Sequence, residues 1–183
     1  MRGPDGDEKG RVLLEIARES VEHAVLGTPE TEYDDGWLWE PGATFVTLRH
    51  RGELRGCLGT LKASEPLIRD LRHNARAVTS EDPRFPPLAA TELRETGVEV
   101  SLLSPLEEVP CATEADAVRE LSRGRDGWYL VYRQHSGTFL PQVWESLPRP
   151  GDFLRRLKEK AGLPLGFWDR EIRLWRYTVS KWG

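Results

Sequence analysis

One succession of local signals, hairpin then helix then strand, occurs twice along the chain and restricts the fold more than any other feature. In the first copy "TFVTLRHRGELRGCLG" alternates Val46 and Leu48 with Thr47 and Arg49 and turns at "HRGE", which predicts a β-hairpin. Ser64 stands where it can cap a helix over residues 65–79, with Pro66 in the first turn and Leu67, Leu71, Ala75 and Val78 on the buried stripe. "GVEVSLLSPL" then predicts a strand with Val98, Val100 and Leu102 inward, ended by Pro105. In the second copy "GWYLVYRQHSGTFLPQVW" is the hairpin, "GDFLRRLKEKAG" a helix capped by Asp152 and stopped by Gly162, and "EIRLWRYTV" the closing strand. Matching Arg49 to Arg133 sets Cys57 near Gln142. An amphipathic helix carrying Leu13, Ile16, Ala17 and Val21, stopped by Gly27, precedes the first copy, and a short helix capped at Thr113 precedes the second. The expectation is an α+β fold formed as a single domain over residues 1–183. Its repeats span about 11–110 and 111–183, their hairpins share one antiparallel sheet with helices packed on it, and two lobes are allowed.

The chain has 183 residues, enough to bury roughly 70% of its unfolded surface without a disulfide or metal. Its 26 basic and 30 acidic residues give a net charge of −4 and form no long run of one sign, which argues against a nucleic-acid or anionic-membrane surface. Two cysteines without C-x-x-C spacing and four scattered histidines make a poor ligand set, so neither metal nor cofactor is expected. No stretch approaches 18 apolar residues, and no apolar leader with a cleavage site opens the chain. A soluble, cytoplasmic protein with no membrane association is expected.

The candidate site lies in "ELRGCLGT", where glycines interrupt a strand. Glycine there marks a bulge or a place where a ligand or another backbone comes close. Arg55 and Cys57 lie two residues apart and project to one face, with Gly56 and Gly59 leaving space beside them and Thr60 following. An arginine beside a cysteine favours the thiolate, the reactive form. Only the first copy carries the insert "SEDPRFPPLAATEL", whose prolines restrict the backbone around Arg84 and Phe85 and suit an ordered lid over the strand. Cys57 is thus the candidate nucleophile or redox thiol, and Arg55, Gly56, Gly59, Thr60, Asp82, Arg84 and Phe85 are the candidate ligand-binding set. Against this stand plainer roles: a free cysteine is often a buried small hydrophobe, and "DPRF" suits a turn in which Asp82 caps its own backbone and Arg84 is tied to a nearby carboxylate. His73 falls on the solvated side of its helix, Cys111 precedes a cap, and the seven tryptophans suit packing. No G-x-S-x-G elbow supports a serine triad.

"GATFVTLRHRGELRGCLGT", "DPRFPPLAATEL", "VEVSLLSPLEEV", "GTFLPQVW" and "FLRRLKEKAGL", in that order, resemble the AMMECR domain family, also called AmmeMemoRadiSam system protein A, over about residues 11–179. Leu58 replaces the isoleucine that usually follows the family's cysteine, and "LPQVWESLPRP" is unusually proline-rich. The resemblance implies an α+β tandem-repeat sheet with a cleft near the "RGC" strand, and co-occurrence with a Memo-like protein and a radical SAM enzyme; it implies no reaction. Two roles follow. In the first, a noncatalytic component grips a small ligand or peptide and serves a radical SAM assembly. In the second, an enzyme uses Cys57 in a cleft with Arg55 and Arg84. The missing base beside the cysteine favours the first.

Overall fold

Alternating patterning does build both hairpins, but they lie in different sheets. The computed structural model describes residues 6–183 and divides into two compact units, one comprising residues 6–103 with Ser180–Gly183 and the other Ser104–Val179. In chain order the first unit contains α1 (Gly6–Leu26), β1 (Pro41–Gly42), β2 (Thr44–His50), β3 (Glu53–Gly59), β4 (Glu65–Pro66), α2 (Leu67–Ala77) and β5 (Thr96–Leu103). The second contains β6 (Glu107–Val109), α3 (Glu114–Leu121), β7 (Gly127–Tyr132), β8 (His135–Phe139), α4 (Val143–Ser146), α5 (Pro150–Lys160) and β9 (Arg173–Tyr177). The last strand, β10 (Val179–Trp182), returns to the first sheet.

The sheet orders are β10-β5-β2-β3 and β6-β9-β7-β8, with β1 and β4 forming a separate two-stranded ribbon. The expected single sheet is therefore corrected to two, and the reason is in the pairing. β2 has β3 on one side and β5 on the other, and β10 takes the outer edge of β5, while the second hairpin pairs through β7 with β9 rather than with the open edge of β3. Pro105, which lacks an N–H, interrupts the chain between β5 and β6, and β6 pairs with β9 instead.

Both sheets place the closing strand beside the first hairpin strand, and each has its own core. In the first, Leu13, Ile16 and Ala17 of α1 and Leu71 and Ala75 of α2 are fully buried with Val46, Leu48 and Val100. Each large apolar side chain so buried contributes roughly 1.5–3 kcal/mol. In the second, Trp144 stacks on Phe153 at 3.9 Å between ring centres, and Leu130, Leu154 and Leu157 are fully buried. Trp128 and Trp144 pack as expected of tryptophans in a core, whereas Trp39 is exposed.

Two caps differ from expectation. Glu65 and Pro66 pair with Pro41 and Gly42, so α2 starts at Leu67 rather than behind Ser64. Asp152 sits inside the first turn of α5, which starts at Pro150. Thr113 does cap α3, accepting from the Asp116 N–H, and Gly27 and Gly162 end their helices with φ of 73° and 77°. The hairpin turns align differently too: Arg51 (φ 51°) and Arg133 (φ 53°) occupy corresponding turn positions, which replaces the match of Arg49 with Arg133. Through this alignment Gly56, opposite Leu48, corresponds to Gly137, opposite Leu130. Gly56 faces the C-terminal end of α2 and Gly137 that of α5. A Cβ at Gly56 would lie 3.0 Å from the Val78 carbonyl, and one at Gly137 would lie 2.9 Å from the Ala161 nitrogen.

Candidate functional site

The first hairpin departs from the second at one residue. Register passes from Leu48–Gly56 to Arg49–Leu54, so Arg55 is an extra, unpaired residue that forms a bulge in β3. The bulge aims the Arg55 side chain at the insert, where it is 12% exposed. Its Nε and Nη2 donate to Glu92 at 2.8 and 3.0 Å, and Nη1 and Nη2 donate to the carbonyls of Pro86 and Pro87 at 2.9 and 3.2 Å. Prolines make this possible, because their carbonyls accept while the fixed backbone holds the fork's geometry. Arg55 holds the Glu92 carboxyl down at about 2, with the Ala89 N–H adding to the effect.

β3 is an edge strand, and its exposed backbone groups need partners. At Cys57 the insert supplies them with side chains. The Cys57 N–H donates to Asp82 Oδ2 at 2.9 Å, and Arg84 Nη2 donates to the Cys57 carbonyl at 3.4 Å. Asp82, 3% exposed, also accepts from the Arg84 N–H at 3.1 Å, from Nε at 2.9 Å and from Nη2 at 2.6 Å. The Arg84 fork, followed by the two backbone N–H groups, holds the Asp82 carboxyl far below the usual carboxylate range against the opposing effect of burial. "DPR" thus stands in for one residue of a neighbouring strand. Leu88, buried in the core, and its N–H bond to the Thr79 carbonyl at 2.7 Å fasten the rest of the insert.

The arginine that completes this cap is itself 55% exposed, and its guanidinium carbon lies 5.4 Å from the centre of the Phe85 ring. The Arg55 guanidinium carbon lies 6.0 Å from the same ring. Cys57 is half-buried, and its Sγ accepts a hydrogen bond from Thr47 Oγ1 at 3.3 Å, a hydroxyl donor rather than a base. The structure thus gathers Arg55, Gly56, Cys57, Asp82, Arg84 and Phe85 into one corner.

Gly59 and Thr60 serve elsewhere. A Cβ at Gly59 would lie 2.4 Å from the Phe45 ring and 2.4 Å from the Thr44 carbonyl. The space expected beside the two glycines is therefore occupied by the chain itself. Thr60 joins a buried network in which Asp70 accepts from its hydroxyl and, at 2.7 Å each, from the Thr44 N–H and hydroxyl, while Asn74 Nδ2 donates to the Thr44 carbonyl at 3.1 Å. These groups tie the end of β3 to α2. Asp70 and Asn74 lie four apart on a helix otherwise apolar on its inner face, a polar i,i+4 pair that sequence reasoning overlooked.

The AMMECR1 family model matches residues 14–182. This chain belongs to the AMMECR1 family. It is 34% identical to a protein of Methanothermobacter thermautotrophicus over 97% of this chain and 95% of that one, and 36% identical to a protein of Thermococcus gammatolerans over 95% and 89%. The crystal structure of the uncharacterized protein PH0010 from Pyrococcus horikoshii superposes with a TM-score of 0.81 at 33% identity, covering 94% of this chain and 89% of that one.

The AMMECR1 chain holds two further titratable residues singled out by the sequence. Cys111 lines a second-unit cavity of about 760 Å³ with Arg133, Arg170 and Arg173, and burial, then Glu120 and Asp116, pushes its thiol up. That makes it a poor nucleophile. His73 is exposed on α2. Among the described residues no group of three or more His, Cys, Asp or Glu is placed to hold a metal, and no helix is long and apolar enough to cross a membrane.

Proposed function

We propose that the chain is a noncatalytic binding component which receives an acidic group of a protein partner on Arg84. We further propose that it works in the cytoplasm with a Memo-like protein and a radical SAM enzyme. The observation that carries this reading is the state of Arg84: one edge of its guanidinium is fixed by a buried carboxylate, and more than half of the side chain faces solvent beside Phe85. A guanidinium held this way loses little freedom when it meets a carboxylate, and the ring beside it suits an apolar neighbour of that group. The bulge and the insert occur in only one of the two hairpins, which supports reading this corner as the specialised one.

The test is calorimetric titration of the purified chain with a Memo-like protein encoded in the same genome. Binding is expected to weaken at least tenfold in Arg84→Gln, with circular dichroism confirming that the variant is folded. Undiminished binding by a folded Arg84→Gln refutes the assignment. A second reading, a cysteine-dependent enzyme, draws on the closeness of Arg84 to Cys57, whose carbonyl accepts from Arg84 Nη2 at 3.4 Å. Under it, Cys57→Ser abolishes function while leaving partner affinity unchanged.

A further inference from the structure

The outer face of α2 carries a basic stripe that neither the Cys57 corner nor the helix itself accounts for. Arg69, Arg72, His73 and Arg76 stand at i, i+3, i+4 and i+7, so all four share one side. With Ala24 of α1 and Ser80 beyond the helix end, they line a cavity of about 500 Å³. Like charges at these spacings destabilise a helix, and Arg69 lies in the first turn, where the helix dipole disfavours a cation. The stripe is therefore not there for the sake of helix stability.

Its internal partners are too few. Glu30, with an 11% exposed side chain, pairs with Arg76 and stands 3.9 Å from Arg72 Nε, and it also accepts from the Ser20 hydroxyl at 2.5 Å. Arg72 Nη2 donates to the Thr31 carbonyl at 2.5 Å, yet its buried Nε has no hydrogen-bond partner. Among the described residues Arg69 makes no ion pair; its guanidinium carbon lies 5.9 Å from the centre of the Trp39 ring. Glu81 on the cavity wall is the other acidic group, so three arginines face two carboxylates, with His73 beside them. The buried Arg72 Nε is turned toward Glu30, so the cation left for an outside acceptor is the exposed, unpaired Arg69 on the cavity wall.

We propose that this cavity binds a small phosphate monoester. A phosphate monoester supplies the anionic oxygens that the unpaired arginine lacks, and those oxygens match guanidinium forks. The cavity falls within the range of small-molecule sites and exceeds what a bare phosphate fills, while Ala24 and Ala77 give apolar wall to the esterified part.

The experiment is titration of the purified chain with ribose 5-phosphate and with adenosine monophosphate, followed by calorimetry and by melting temperature. Inorganic phosphate and sulfate at matched ionic strength serve as controls. At least one ester is expected to bind at least tenfold more tightly than inorganic phosphate or sulfate. Affinity is expected to fall at least tenfold in Arg69→Gln, a change at a residue without an ion pair, and to survive in Arg84→Gln. Three results overturn the proposal: no binding of either ester at 10 mM, equal binding of esters and sulfate, or unaltered ester affinity in a folded Arg69→Gln.

Discussion

Asp82→Ala removes the acceptor that holds the insert on β3, and its cost follows from what is left behind. Four hydrogen bonds between 2.6 and 3.1 Å end on this carboxylate. The guanidinium of Arg84, 55% exposed, recovers water when released, so its ion pair counts for only about 0–1 kcal/mol. The Cys57 N–H does not recover so easily, because the insert still lies over it, and an unmet buried donor costs about 1–3 kcal/mol. Together with the lost Asx-type bond to the Arg84 N–H, the expected destabilisation is roughly 2–4 kcal/mol. In urea this appears as a lower midpoint, by roughly 1–2 M, for the transition of the first unit. Amide exchange supplies the local readout: protection of the Cys57 N–H is expected to collapse while that of Leu130 in the second unit is unchanged. A loss under about 1 kcal/mol with Cys57 protection intact would refute the idea that Asp82 and Arg84 substitute for a strand.

Three further outcomes are expected. The Glu92 carboxyl is held at about 2 and that of Asp82 lies lower still, so their stabilisation is complete above the unfolded-state values near 4 and is lost as pH falls toward 2; Glu92→Gln should flatten this acid limb in urea midpoints taken from pH 6 to 2. Lys158 is fully buried, with its Nζ 2.5 Å from Glu114 and 3.1 Å from the Phe167 carbonyl, so Glu114→Ala should cost about 3 kcal/mol whereas Lys158→Met should cost under about 1 kcal/mol, compared by denaturant unfolding. Gly59→Ala forces a Cβ against Phe45 and the Thr44 carbonyl and should lose about 1–3 kcal/mol, while Gly151→Ala, in the first turn of α5 with nothing within 4 Å of the added carbon, should be neutral or stabilising.

Hairpins, helices and closing strands were legible because each rests on a local period: Val46 and Leu48 alternate along β2, and Leu13, Ile16 and Ala17 recur along α1. The partition into two sheets was not, because it depends on which strand reaches which edge, and the return of β10 to β5 is a pairing about 80 residues distant that no local pattern encodes. At the site, glycine signalled close approach correctly, but what approaches Gly56 is Val78 and what approaches Gly59 is Phe45. The bulge at Arg55 escaped notice because an extra residue shows only against its partner strand. The basic stripe was present in "RDLRHNAR" at i, i+3, i+4 and i+7. A search for runs of like charge misses charge arranged at helical spacing.

In the proposed function the corner around Cys57 holds a partner through Arg84, and the thiol is dispensable. The measurement that tests that reading most directly is the affinity of Cys57→Ala for the Memo-like protein, set beside Arg84→Gln and the unmutated chain, together with the ability of each to restore function in cells lacking the chain. Cys57→Ala is expected to bind within about twofold of the unmutated chain and to restore function, while Arg84→Gln is expected to do neither. Full binding by Cys57→Ala without any restored function would contradict that reading and assign the cysteine a reaction.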